Sequence, residues 1–158
     1  MKNLFKTVIK SGILICLFAL PLFGQSQMRR RLDNQPVYNH SALCAKDLKR
    51  TTYFYNEVLR LKKIKNPFND TLHTWLKTGP GLALHIIKGN CTVMDNISIH
   101  LCFSVRSLEA FIKHLDQLDI KYCDFNKVPK KIQARPDGVS QIYFQDPDGN
   151  WIEVNNAK

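Results

Sequence analysis

The stretch Gln145-Asp146-Pro147-Asp148-Gly149-Asn150-Trp151-Ile152-Glu153-Val154 decides how this chain is read. Proline presets one corner of a turn, aspartate bonds its own backbone, and glycine accepts a positive φ, so Asp146–Gly149 predicts a tight turn. Val139–Gln145 and Asn150–Val154 flank it with strand-forming residues, which makes the whole a hairpin. Side chains alternate along a strand, so Ile152 and Val154 point one way and Trp151, Glu153 and Asn155 the other. A carboxylate projecting off the less apolar face of a strand is a candidate ligand or base.

The pattern extends upstream and then repeats. Ile97–Val105 reads as a strand. Ser107 caps a helix carrying Leu108, Phe111, Ile112, Leu115 and Leu118. Ile120–Phe125 is extended, and a basic loop runs on through Gly138. In the first half, Val37–Ala45 reads as a strand, and Asp47 caps a helix whose apolar positions run from Leu48 to Leu61. Leu72–Thr78 and Leu82–Lys88 then flank the turn Gly79-Pro80-Gly81. A polar connector, Gly89–Asn96, separates the halves. Shifted by 60 residues, His40 falls on His100 and Ala45 on Val105. Shifted by 68, Trp75 falls on Tyr143 and His85 on Glu153. The predicted fold is α+β, two strand–helix–strands modules at 37–88 and 97–155 within one domain spanning 37–156.

Face by face, the metal-competent residues stand apart from the apolar ones. Ser98, His100, Cys102 and Ser104 oppose Ile97, Ile99, Leu101, Phe103 and Val105. His85 opposes Leu82, Leu84 and Ile86. His40 shares a face with Tyr38, Ala42 and Cys44. If the sheets pack together, these faces line one cavity. Three imidazoles and a carboxylate suit Zn, Ni, Fe, Co or Mn and not Ca or Mg. His73 and His114 fit no repeat relation and read as surface residues. Trp75, Tyr143 and Trp151 read either as a stacking platform for a ligand or as hairpin packing.

The ends and the charge set the context. Lys2, Lys6 and Lys10 precede an uncharged run, Gly12–Gly24, and small residues at a cleavage position, which is the pattern of a signal peptide at 1–26 cut near Ser26. Cleavage would leave 132 of 158 residues, a basic arm at 27–36, and a formal charge of +7 instead of +10. The expected location is periplasmic or secreted, with membrane contact only if the leader is retained. Of the cysteines left after cleavage, Cys44, Cys91, Cys102 and Cys123, the spacing matches no disulfide scaffold and no CxxC occurs, so they read first as small core residues, with pairing in an exported chain as the alternative. The basic surface lacks the groove-reading element or stacking aromatics that nucleic-acid binding requires.

These motifs resemble the vicinal oxygen chelate superfamily, which includes glyoxalase I, extradiol dioxygenases, bleomycin-binding proteins and fosfomycin-resistance enzymes. The residues that carry the likeness are His40-Ser41-Ala42-Leu43-Cys44-Ala45-Lys46-Asp47, Tyr53-Phe54-Tyr55, His85, His100–Val105 and Asp146–Glu153. The resemblance implies paired βαβββ modules cupped around a divalent metal. It implies His40, His85, His100 and Glu153 as ligands, Glu153 as first candidate for a base and His85 as second, and no separate organic cofactor. It implies a small oxygenated substrate and a lyase or isomerase reaction. An extradiol-type dioxygenase and a non-enzymatic antibiotic- or small-ligand-binding module are the alternatives. Family members often pair modules across a homodimer. One departure stands out: glyoxalase I usually carries arginine four residues after its first ligand, where this chain has Cys44.

Overall fold

The computed structural model describes residues 34–158, of which Tyr38–Lys158 form one compact unit. The predicted leader and most of the basic arm lie outside the described residues. Among those described, no helix is long and apolar enough to cross a membrane.

The first module is β1 (His40–Ala45), α1 (Leu48–Glu57), β2 (Lys62–Ile64), β3 (His73–Gly79) and β4 (Leu82–Lys88). The second is β5 (His100–Ser104), α2 (Leu108–Gln117), β6 (Gln133–Ala134), β7 (Ser140–Gln145) and β8 (Trp151–Asn155). Each folds into a four-stranded mixed sheet, in the orders β1-β4-β3-β2 and β5-β8-β7-β6. In both, the first and last strands pair in parallel and the hairpin pairs antiparallel. This is the expected α+β arrangement of two βαβββ modules.

Capping places the helices where the sequence puts them. Asp47 Oδ1 accepts the Arg50 amide at 3.0 Å, and Ser107 Oγ accepts the Ala110 amide at 3.1 Å. The first helix is shorter than the apolar pattern predicts. It ends at Glu57, Arg60 adopts φ 56°, and Lys62–Ile64 becomes an exposed edge strand. An edge strand of two lysines and one isoleucine has no apolar alternation by which to recognise it. Ile120–Phe125 likewise forms no ladder; only Cys123 bridges to Tyr143 and Pro129.

One buried cluster joins the modules. Phe54 and Tyr55 of α1, Leu108 and Leu115 of α2, Leu84 and Ile86 of β4, and Ile152 and Val154 of β8 all belong to it. These are the apolar sides predicted for the strands, so burying them leaves the opposite sides of both sheets to the site.

The cysteine expectation needs correcting. Cys44 and Cys91 form a disulfide with Cα atoms 5.7 Å apart, while Cys102 and Cys123 are free. The connector after β4 folds back on β1: the Gly89 amide donates to the Ala45 carbonyl at 3.0 Å. A Cβ at Gly89 would stand 3.0 Å from Cys44 Sγ, so glycine permits the close approach. Residues 47 apart in sequence are brought together by tertiary folding, which no spacing rule reveals.

Candidate metal centre

Strand register makes the two modules' half-sites equivalent. Ala42 faces His85 across β1 and β4, and Cys102 faces Glu153 across β5 and β8. His40 pairs with Ala83 and His100 with Trp151, one step along. Trp75 lies opposite His85 as Tyr143 lies opposite Glu153. Each half-site therefore has a histidine on its first strand, a second donor diagonally across on its last, and an aromatic beside that donor. These registers obey the offsets of 60 and 68 read from the sequence.

The second half-site is the more elaborate. His100 Nδ1–H donates to the Ile97 carbonyl at 2.7 Å. Its Nε2 faces Glu153 Oε2 at 3.3 Å. That is also the separation of two donors about 2.0–2.2 Å from one ion at a near-tetrahedral angle. Glu153 is buried and held by others: Tyr143 O–H donates to Oε2 at 2.5 Å, and Asn155 Nδ2 donates to Oε1 at 2.8 Å. Gln141 Nε2 in turn donates to the Tyr143 oxygen at 2.7 Å. Burial alone would raise the Glu153 carboxyl, but the bonds from Tyr143, Asn155 and Cys102 and the nearby His100 outweigh it and hold it below the usual value. The same carboxylate, after burial, pushes the Cys102 thiol up to about 12 and Tyr143 well above its ordinary value. Both therefore stay protonated donors to Glu153. Arg135 Nη1 adds positive charge 4.0 Å from Oε1.

In the first half-site, His40 Nδ1–H donates to Asn39 Oδ1 at 2.7 Å, freeing Nε2. The His40 and His85 rings lie 6.0 Å apart, centre to centre. His85 is buried beneath Trp75, whose ring stacks on it at 4.1 Å, and beside Phe68 at 5.7 Å. Burial, then the neighbouring His73 and His40, lowers its pKa and keeps it neutral. His85 Nε2 is buried and has no hydrogen-bond partner. An unpartnered buried imidazole nitrogen is costly unless something else satisfies it. A metal ion is one such partner, and this donor set suits one.

The four residues do not all meet. The structure brings His40 to His85 and His100 to Glu153. Among the described residues, no group of three or more histidine, cysteine, aspartate or glutamate side chains is placed to hold one ion. His40 and Cys102, on the two site faces, are exposed.

Some neighbours went unread in the sequence. His73 is half-buried rather than on the surface, because Asp70 accepts from its Nδ1 at 2.7 Å and Phe68 packs on it at 4.6 Å. His114 is also half-buried, bonded through Nε2 to the Glu57 carbonyl at 3.1 Å. Trp75 and Tyr143 serve the candidate ligands directly. Trp151 instead donates to Asp95 at 2.8 Å from its indole nitrogen, with the Lys127 ammonium over its ring. The 68-residue offset from Trp75 marked Tyr143 as an aromatic of the second half-site but not as a hydrogen-bond donor to Glu153, and nothing in the sequence pointed to Arg135.

A family model, Glyoxalase/Bleomycin resistance protein/Dioxygenase superfamily, matches residues 37–154. The chain belongs to this superfamily. Among its relatives, Glyoxylase I 4 of Arabidopsis thaliana is 25% identical over 75% of this chain and 70% of its own length. The lactoylglutathione lyase of Pseudomonas putida is 25% identical over 76% of this chain and 84% of its own. Among solved structures, a variant of the fosfomycin resistance protein FosX of Listeria monocytogenes superposes with a TM-score of 0.62 at 20% identity. The match covers 78% of this chain and 93% of that one. That FosX variant was crystallised with Mn(II) and 1S,2S-dihydroxypropylphosphonic acid. At this identity the likeness speaks for the fold alone.

Proposed function

We propose that this superfamily member is a metal-dependent, glyoxalase-like lyase or isomerase acting on a small oxygenated substrate by chelation and proton transfer. His40, His85, His100 and Glu153 would hold a divalent transition metal. The observation that carries this reading is the pair of register-equivalent half-sites. In each, the first-strand histidine has its Nδ1 already bonded, and in the first half-site the buried His85 Nε2 has no hydrogen-bond partner. A bound metal would polarise substrate oxygens and make an adjacent C–H or O–H more acidic.

The chain's own residues supply the rest. Glu153 is ionised and can accept a proton at a carboxylate oxygen, while Tyr143 and Asn155 fix where that oxygen points. His85, neutral under Trp75, is the second candidate base. Arg135 lends the second half-site a cation for an anionic substrate oxygen. Retention of all four donors favours an enzyme over a ligand-sequestering module. Metal analysis of purified protein after reconstitution should find stoichiometric transition metal. Glu153→Gln should weaken binding at least about tenfold. Failure to bind any such metal would sink the assignment.

Because the half-sites stay apart within the chain, we read the cup as completed by a second copy, module one of one protomer facing module two of the other. We also propose that the protein is exported. The Cys44–Cys91 disulfide supports this, since such bonds persist in oxidising compartments. N-terminal sequencing of protein from fractionated cells should find a chain beginning near Gln27 outside the cytoplasm. A full-length cytoplasmic chain would refute export.

A further inference from the structure

Positive charge is divided unequally between the modules. Residues 37–88 hold nine lysines and arginines against three acids, whereas 97–155 hold seven against eight. Pairing is unequal too. Among the described residues, Lys121, Lys127, Lys130, Lys131 and Arg135 of module two all reach a carboxylate within 4.0 Å. No lysine or arginine of module one does. Its three acids are otherwise engaged or distant: Asp47 caps α1, Asp70 holds His73, and Glu57 closes the far end of that helix.

Several unpaired cations converge on one groove. It has a volume of about 1020 Å³ and runs between α1 and the sheet, with Lys46, Lys49, Arg50, Lys63 and Lys88 around it and Asp47 as its one carboxylate, a net excess of positive charge. Thr71, Thr74, Asn56 and Tyr53 supply hydroxyl and amide groups between the charges. Thr74 alternates with His73 and Trp75 along β3, so the groove opens on the face of the sheet away from His40 and His85. The α1 N-terminus contributes nothing here, because Asp47 already satisfies it. Small-molecule pockets usually span about 300–1,000 Å³, so this one suits a ligand of several rings.

We propose that this groove binds an anionic oligosaccharide, its carboxylates or sulfates meeting the lysines and its hydroxyls meeting the threonines, Asn56 and Tyr53. The inference is independent of the metal-site reading. The groove's shape and lining separate this ligand from other polyanions. Single-stranded nucleic acid uses successive aromatic platforms, and Tyr53 is the one aromatic side chain in this lining. A bilayer is flat and takes an inserted apolar stripe, whereas this surface is concave and hydroxyl-lined. Repulsion among the unpaired ammonium groups is relieved when an anion enters, so affinity should fall as salt rises.

The test measures binding of oligogalacturonate to the purified protein by calorimetry at low and moderate salt. Neutral dextran, polyglutamate, a single-stranded oligonucleotide and phosphatidylglycerol vesicles serve as comparison ligands. Oligogalacturonate should bind tightest, weaken with salt, and lose about tenfold or more with Lys46→Gln, Lys63→Gln and Lys88→Gln combined. The triple Lys113→Gln, Lys121→Gln, Lys130→Gln removes the same net charge and should leave binding within about twofold. Thermal melts of both variants establish that they fold, and these exposed side chains leave that intact. Equal loss in the two triples, equal or tighter binding of any comparison ligand, or no binding of oligogalacturonate at low salt would overturn the proposal.

Discussion

At the residue scale the candidate site depends on which atoms are left without partners. Trp75 and Phe68 pack around His85, and its buried Nε2 has no hydrogen-bond partner within the chain. Its folded pKa is lowered by burial first, so in the metal-free protein the unfolded chain takes up a proton more readily. The sign follows: this residue's contribution to stability is present above the unfolded value of about 6.5 and is lost as pH falls below it through the folded value. Urea unfolding of metal-free protein should therefore show stability declining from about pH 7.5 to about pH 5.5. His85→Gln should flatten that slope; an unchanged slope would remove His85 as its cause. Glu153 acts lower on the pH scale, where its depressed carboxyl value makes its contribution disappear only in more acidic solution.

At the element scale the deciding piece is the hairpin turn after β7. Gly149 sits at φ 96°, where a side chain would be strained. Asp146 gathers the turn by accepting from the Asp148 and Asn150 amides at 2.9 Å each. It also accepts Tyr55 O–H from α1 at 3.0 Å, and the Pro147 carbonyl takes a bond from Arg50 at 2.7 Å. The turn that aims Glu153 is thus bolted to the first module's helix. Tyr55→Phe removes a donor from a buried carboxylate and should cost about 1–3 kcal/mol in chemical denaturation. A loss below about 0.5 kcal/mol would mean that water or another donor replaces it.

At the scale of the whole molecule the two modules share one core but keep their half-sites apart. A site assembled across a two-fold axis would take His40 and His85 from one protomer and His100 and Glu153 from its partner. His40→Ala and Glu153→Gln homodimers should then both lose metal. Unfolding and refolding the two variants together should restore about a quarter of the wild-type metal content, since half the dimers are mixed and each has one intact site. No recovery above the separate variants would place all four ligands in one chain. The Cys44–Cys91 link ties the intermodule connector to β1 and so stiffens the segment that such an exchange of modules would depend on.

The sequence by itself determined the local order: strand–helix–hairpin twice, both helix caps, both long hairpins, and which side of each strand carries the metal-competent residues. These follow from alternation, capping and turn chemistry, which act over a few residues. The offsets of 60 and 68 even fixed how the half-sites correspond. Only the tertiary structure decided the edge strands β2 and β6, the disulfide, the Tyr143–Gln141 and Asp70–His73 supports, and the separation of the two half-sites. The disulfide and the half-site separation depend on contacts between residues distant in sequence, which leave no periodic trace; the Tyr143–Gln141 and Asp70–His73 bonds are local, two and three residues apart, but rest on side-chain orientations that only packing sets. Burial of the shared core against both helices fixes where the half-sites lie, because the apolar sides must meet and the polar sides go where that leaves them.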